Sequence, residues 1–143
     1  MSSAEVPRIL IIGTADTKSD ELLYLGERVR AAGGTPLFMD VGVMAPAAFA
    51  PEYRNDAVAR AGGHALEALR SCGDENTAMT AMAQGAAALT LQAWRDGQIN
   101  GVLMLGGSMG TDLALDVPAA LPLGVPKVVL STIAHSHLIA PER

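Results

Sequence analysis

Apolar residues fall along this chain in two rhythms. Arg8-Ile9-Leu10-Ile11-Ile12 is a run of aliphatic side chains with no alternation, the pattern of a strand buried on both faces. Leu37-Phe38-Met39, Gly101-Val102-Leu103-Met104-Leu105 and Lys127-Val128-Val129-Leu130-Ser131 repeat it. They predict four core strands near residues 8–13, 36–41, 101–106 and 127–132.

Between the strands the spacing changes to the helical period. Leu22, Leu25 and Val29 stand at i, i+3 and i+7, which predicts a helix from Ser19 or Asp20 to Ala32, stopped by Gly33-Gly34. Short helices are expected over 54–61 and 64–71, divided by Gly62-Gly63, after an aperiodic, proline-containing loop at 43–53. Asp74 can cap a longer helix over 75–96, closed by Gly97. Along that helix Met79, Met82, Ala86, Leu89 and Ala93 form an apolar stripe, read as core or as a helix–helix interface. A last helix is expected over 111–120, with Pro118 kinking it or starting a new turn.

Strands alternating with helices give an α/β domain, a Rossmann-like doubly wound parallel sheet with helices on both faces. The most economical strand order is 2-1-3-4. It reverses direction between the first and third strands and sets the loops that follow them side by side at the carboxyl edge, where open α/β sheets bind ligands.

Those two loops carry the candidate chemistry. Gly13-Thr14-Ala15-Asp16-Thr17-Lys18 and Gly106-Gly107-Ser108-Met109-Gly110-Thr111 each follow a buried strand and precede a helix. Free N–H groups and the positive end of the helix dipole make such a turn suited to an anion. The first loop is neither a dinucleotide fingerprint nor a P-loop. Even so, Thr14 and Thr17 offer hydroxyls, Asp16 can meet a ribose or hold Mg²⁺ through water, and Lys18 can reach a phosphate. Read structurally, it is a strand–helix turn with Asp16 or Thr17 as cap.

In the second loop three glycines in five residues are entropically costly for a mere turn. They allow close approach of a ligand to the backbone, and Ser108 and Thr111 add hydroxyls. The alternative is a tight turn with close helix–sheet packing. Ser108 lacks the G-x-S-x-G context of a nucleophile. Asp40 ends the second strand about 25 residues after the first loop, where dinucleotide folds place a ribose-binding acid; turn formation is the plainer alternative. His135 and His137 have no third ligand at metal spacing.

Composition narrows the setting. Half of the 143 residues are apolar but only 3% are aromatic, and 17% are charged, below the roughly 25% usual for a soluble domain. Mean hydropathy is +0.28. A covering partner is therefore expected: a homodimer, with the Met79/Met82/Ala86 face as first candidate, or a missing C-terminal domain. The end after His137-Leu138-Ile139-Ala140-Pro141 reads as a truncation. A net charge of −5 without a basic cluster argues against nucleic acid. No apolar run is long enough to span a membrane, no signal peptide is recognisable, and a single Cys72 fits a reducing compartment. The expected location is cytoplasmic.

Three ordered motifs, Ile11-Ile12-Gly13-Thr14-Ala15-Asp16-Thr17-Lys18, Gly106-Gly107-Ser108-x-Gly110-Thr111 and Leu121-Pro122-Leu123-Gly124-Val125-Pro126-Lys127-Val128-Val129-Leu130-Ser131-Thr132, carry a resemblance. They resemble the N-terminal domain of the family that includes the tomato mosaic virus resistance protein. The resemblance implies a Rossmann-like half of a longer two-domain protein, ATP as ligand (with Mg²⁺), self-association, and nucleotide contacts from both loops with Ser131 and Thr132 close by. The chain departs from the family after Thr132, at Ile133-Ala134-His135-Ser136. The leading expectation is a nucleotide- or phosphate-binding domain. The rivals are half of a ligase, hydrolase or transferase completed by the absent domain, and an interaction module without ligand.

Overall fold

The computed structural model describes residues 4–107 and 110–133, with the backbone alone at 110–112 and 114. The elements run β1 (Arg8–Gly13), α1 (Ala15–Ala31), β2 (Thr35–Asp40), α2 (Asn55–Ala61), α3 (Leu66–Ser71), α4 (Glu75–Arg95), β3 (Gly101–Gly106), α5 (Gly110–Ala120) and β4 (Lys127–Ser131). All three strand pairings are parallel, in the order β2-β1-β3-β4. This is the expected doubly wound arrangement with the expected reversal. Ile12 pairs with Met39 on one side and Met104 on the other, so β1 lies at the centre.

The pleat sends alternate residues of each strand to opposite layers. Leu10, Ile12, Val102 and Met104 face the larger core with α2, α4 and α5. Ile11 and Phe38 face the smaller one under α1, with Leu22 and Ala15. There α1 packs chiefly on β1 and β2, and Val128 and Leu130 of β4 are exposed.

Three expectations change. Helix α1 starts at Ala15 rather than at Ser19 or Asp20, with a break in helical geometry at Lys18 (φ −128°, ψ 26°); the first loop coils directly into the helix. The 43–53 stretch does more than connect. Tyr53 bridges to Met39 beside β2, and Phe49 packs edge-to-face on Phe38 at 5.1 Å. Finally, Met82 and Ala86 are completely buried in the main core; this bears out the core reading of the stripe and removes these two residues from the face named first for a dimer contact.

That packing depends on two glycines where α2 crosses α4. A Cβ on Gly85 would stand 1.9 Å from the Val58 carbonyl oxygen, and one on Gly62 would stand 2.3 Å from that of Ala81. Backbone cannot yield as a side chain can. Gly85→Ala should therefore destabilise the fold by about 3 kcal/mol or more in urea unfolding. Gly97→Ala, which meets nothing within 4 Å but adopts φ +70°, should cost only about 1–2 kcal/mol. Equal losses would contradict the close crossing. In the same helix the fully buried Thr90 hydroxyl has no hydrogen-bond partner among the described residues. Thr90→Val should raise stability by about 1 kcal/mol in the same assay, and a loss would show that the hydroxyl is satisfied.

Candidate functional site

Parallel strands deliver the ends of β1, β2, β3 and β4 to one edge, and each crossover helix begins there. A cleft of ≈ 710 Å³ opens at that edge. One wall is the β1–α1 turn, with Thr14, Asp16, Thr17 and Lys18. The floor includes Gly107 and Thr132; Gly42, Val43 and Met44 adjoin the first wall, and the far side is lined by Leu69, Arg70, Gly73, Asp74, Glu75, Ala78 and Met79. The two glycine-containing loops thus meet on one cleft, on the same sheet edge.

The first wall is built around the start of α1, where the Asp40 carboxylate accepts from the Ala15 N–H and the Thr14 carbonyl accepts from the Thr17 and Lys18 N–H groups. Thr14 is the N-cap of α1 but makes no side-chain cap bond; its hydroxyl instead pairs with that of Thr17 at 2.7 Å. Asp16, in the first turn, accepts from the Met44 N–H through Oδ2 at 3.1 Å. Its carboxylate lies so near Gly42 that a Cβ there would stand 2.6 Å from Oδ1. Lys18 Nζ stands 3.6 Å from Glu21, on a half-exposed side chain, an arrangement that holds the ammonium only weakly.

Asp40 has a different task from the expected one. It is 2% exposed and does not line the cleft. Its Oδ1 accepts from the Ala15 N–H at 3.0 Å and from the Gly42 N–H at 2.8 Å, tying the start of α1 to the end of β2. Burial raises its carboxyl above the ordinary range; the bonds from Gly42 and Ala15 oppose this, and the Asp16 charge adds to it.

Four polar ties fix the Gly42–Met44 segment. Besides Asp40 and Asp16, Asn55 Nδ2 donates to the Gly42 carbonyl at 2.9 Å and Arg70 Nε donates to that of Val43 at 2.6 Å. Across the cleft, Asp74 caps α4. Its Oδ1 accepts from the Asn76 N–H at 3.1 Å and its Oδ2 from the Thr77 hydroxyl, which holds its carboxyl below the usual range.

Of the residues singled out by sequence, Thr14, Asp16, Thr17, Lys18, Gly107 and Thr132 line the cleft. Gly13, Gly106 and Ser131 end their strands behind it: Gly13 packs against Leu22, Gly106 accepts from the Thr132 N–H at 3.3 Å, and the Ser131 hydroxyl accepts from the Ile133 N–H at 3.1 Å. Gly110 and Thr111 open α5. Their side chains, together with Ser108, His135 and His137, lie outside the described residues. Among the described residues no three His, Cys, Asp or Glu side chains converge as a metal site, and no helix is long and apolar enough to cross a membrane.

Sequence reasoning missed the far wall. The signal was topological: α4 leads into β3, so its start had to lie at the carboxyl edge, bringing Asp74, Glu75 and Met79 to the cleft.

The family model for the N-terminal domain of the uncharacterised protein family UPF0261 matches residues 7–140. The chain belongs to that family. A UPF0261 protein of Brucella suis is 52% identical over 137 residues, covering 96% of this chain and 33% of the relative. One of Clostridium tetani is 36% identical over 127 residues, 89% of this chain and 31% of the relative. The ToMV resistance protein Tm-1 of Solanum lycopersicum is 32% identical, with 90% of this chain and 19% of the relative covered. The resemblance read from the three motifs is thus shown. The chain spans about a third of the length of its bacterial relatives.

The Asp40 ties make a pH-dependent prediction. Because the folded carboxyl titrates above its ordinary value of 3.8, the folded state binds this proton more tightly than the unfolded chain. The resulting stabilisation is fully present below pH 3.8 and is lost as pH rises through the higher folded value. Asp40→Asn keeps an acceptor and lacks the titration. The stability of the parent relative to this variant should fall as pH rises, read by urea unfolding across the acid range; a flat or rising difference would contradict it. Asp40→Ala orphans two N–H groups and should cost about 2–4 kcal/mol in acid, a cost that declines in the same way as pH rises.

Proposed function

We propose that the domain binds a phosphate-bearing small molecule, of the ATP type, in the carboxyl-edge cleft. The observation that carries this reading is Gly107. It lines the cleft without positive φ, and a Cβ on it would meet nothing within 4 Å among the described residues. Among the described residues neither a positive φ nor packing calls for glycine there, and a glycine would let a ligand approach the backbone closely. Opposite it, the Thr14–Thr17 pair provides hydroxyls and Lys18 provides a cation that can turn to a phosphate at the positive end of α1. Mg²⁺ would arrive on the phosphates, with Asp16 meeting its water shell, since no protein cluster among the described residues is built to hold the ion alone.

Calorimetry with Mg·ATP tests the reading. The parent chain should bind, and Gly107→Val should weaken binding at least tenfold (about 1.4 kcal/mol) with unchanged urea stability. Equal heats for both proteins would remove Gly107 from the site.

A second reading rests on length. With about two-thirds of the bacterial relatives lying outside the match, the cleft would be one half of an active site in a longer protein. ATP consumption by the full-length protein that needs a small co-substrate and is abolished by Asp16→Ala would favour it. Binding without turnover would favour the binding domain alone.

A further inference from the structure

The two edges of the sheet are finished differently. At the β2 edge the 43–53 stretch returns alongside the strand. The Asp40 N–H donates to the Tyr53 carbonyl at 2.9 Å, the Tyr53 N–H to that of Phe38 at 3.0 Å, and the Phe38 N–H to Glu52 Oε2 at 2.6 Å. Covered in this way, that edge is closed to further pairing. At the other end of the order, β4 pairs with β3 alone among the described residues. Its one charge, Lys127, stands at its first position.

The apolar layer under α1 also runs on past that helix. Phe38, Ile11, Leu103 and Val128 lie in register across the four strands, and two residues further on Leu105 pairs with Leu130. Residues in register on parallel strands share a face, and Val129, between the two β4 side chains, packs in the opposite core. Along the row Phe38 is 6% exposed and Ile11 0%, whereas Val128 is 51% exposed and Leu130 beside it 41%. Parallel sheets are ordinarily buried on both faces. Here the β3–β4 half of one face is apolar and open.

We propose that this half-face is the docking surface for the polypeptide that follows the matched region in the longer UPF0261 proteins: a fifth strand along β4 and, after it, a helix beside α1 over Leu103, Leu105, Val128 and Leu130. The family model is that of an N-terminal domain, and the match takes only 33% of the Brucella suis relative, so the remaining chain lies after it. Handedness selects the helix. The step from β3 through α5 to β4 leads outward with α5 packed beside α4. A right-handed step from β4 to a fifth strand keeps its own helix in that same layer. The cover for the α1 layer is therefore the helix after the fifth strand.

A chimera of residues 1–143 joined to the remainder of the Brucella suis protein tests this. Leu130→Cys is placed in a Cys72→Ser background, and thiol labelling is read by mass spectrometry. Leu130→Cys should react readily in the 143-residue chain and about tenfold or more slowly in the chimera. His64→Cys, at an exposed position between α2 and α3, should react alike in both. Equal reactivity of Leu130→Cys in the two proteins would overturn the proposal. Protection already present in the 143-residue chain and growing with its concentration would do the same, because the occupant would then be a second copy. Hydrogen exchange of the unaltered full-length Brucella suis protein is a second measurement, independent of the chimera's folding. Its segment matched to β4 should exchange within about tenfold of that matched to the central β1; faster exchange would leave β4 an open edge and overturn the proposal.

Discussion

The carboxylate of Asp40 holds the working edge of this domain together. It sits at the end of β2, in register with Gly13 at the end of β1, and accepts from one N–H on each of the two segments that leave the sheet there. Burying it is unfavourable for its charge, yet the two bonds give the start of α1 and the Gly42–Met44 segment a common reference. Asp16 then spans the same gap in the opposite direction, from α1 to Met44. The geometry of the cleft follows from this pair of carboxylates, one buried and structural, the other at the surface of the site.

Much of the fold was legible because the chain is locally consistent. Aliphatic runs such as Ile9–Ile12 fit only a strand covered on both faces, and the helical spacing of Leu22, Leu25 and Val29 identifies α1. The order β2-β1-β3-β4 followed from economy of crossover connections. What escaped was tertiary in origin. The sequence of the first loop has no feature that distinguishes a separate turn from a helix that begins at Ala15 and breaks at Lys18. A stripe of Met and Ala looks the same whether it meets another chain or the sheet beneath it; here Met82 and Ala86 meet the domain's own core.

The candidate site was legible in outline only. The position of Asp40 in the chain matched that of a ribose-binding acid, but position does not reveal which way a carboxylate points, and here it points to backbone. Arg70, Asp74 and Met79 come from elements that the βαβ pattern does not mark as functional. They reach the cleft because three helices intervene between β2 and β3. Their contribution can be inferred only from the path of the chain.

The central claim is that the β1–α1 turn, Gly107 and the Gly42–Met44 segment form one ligand site. Amide spectra of the ¹⁵N-labelled chain titrated with Mg·ATP test it directly. Shifts should concentrate at Thr14–Lys18, Met44, Gly107 and Thr132, with Gly63 and Val128 unchanged. Saturating Mg·ATP that shifts none of the first group, or that shifts the β4 edge instead, would contradict the account.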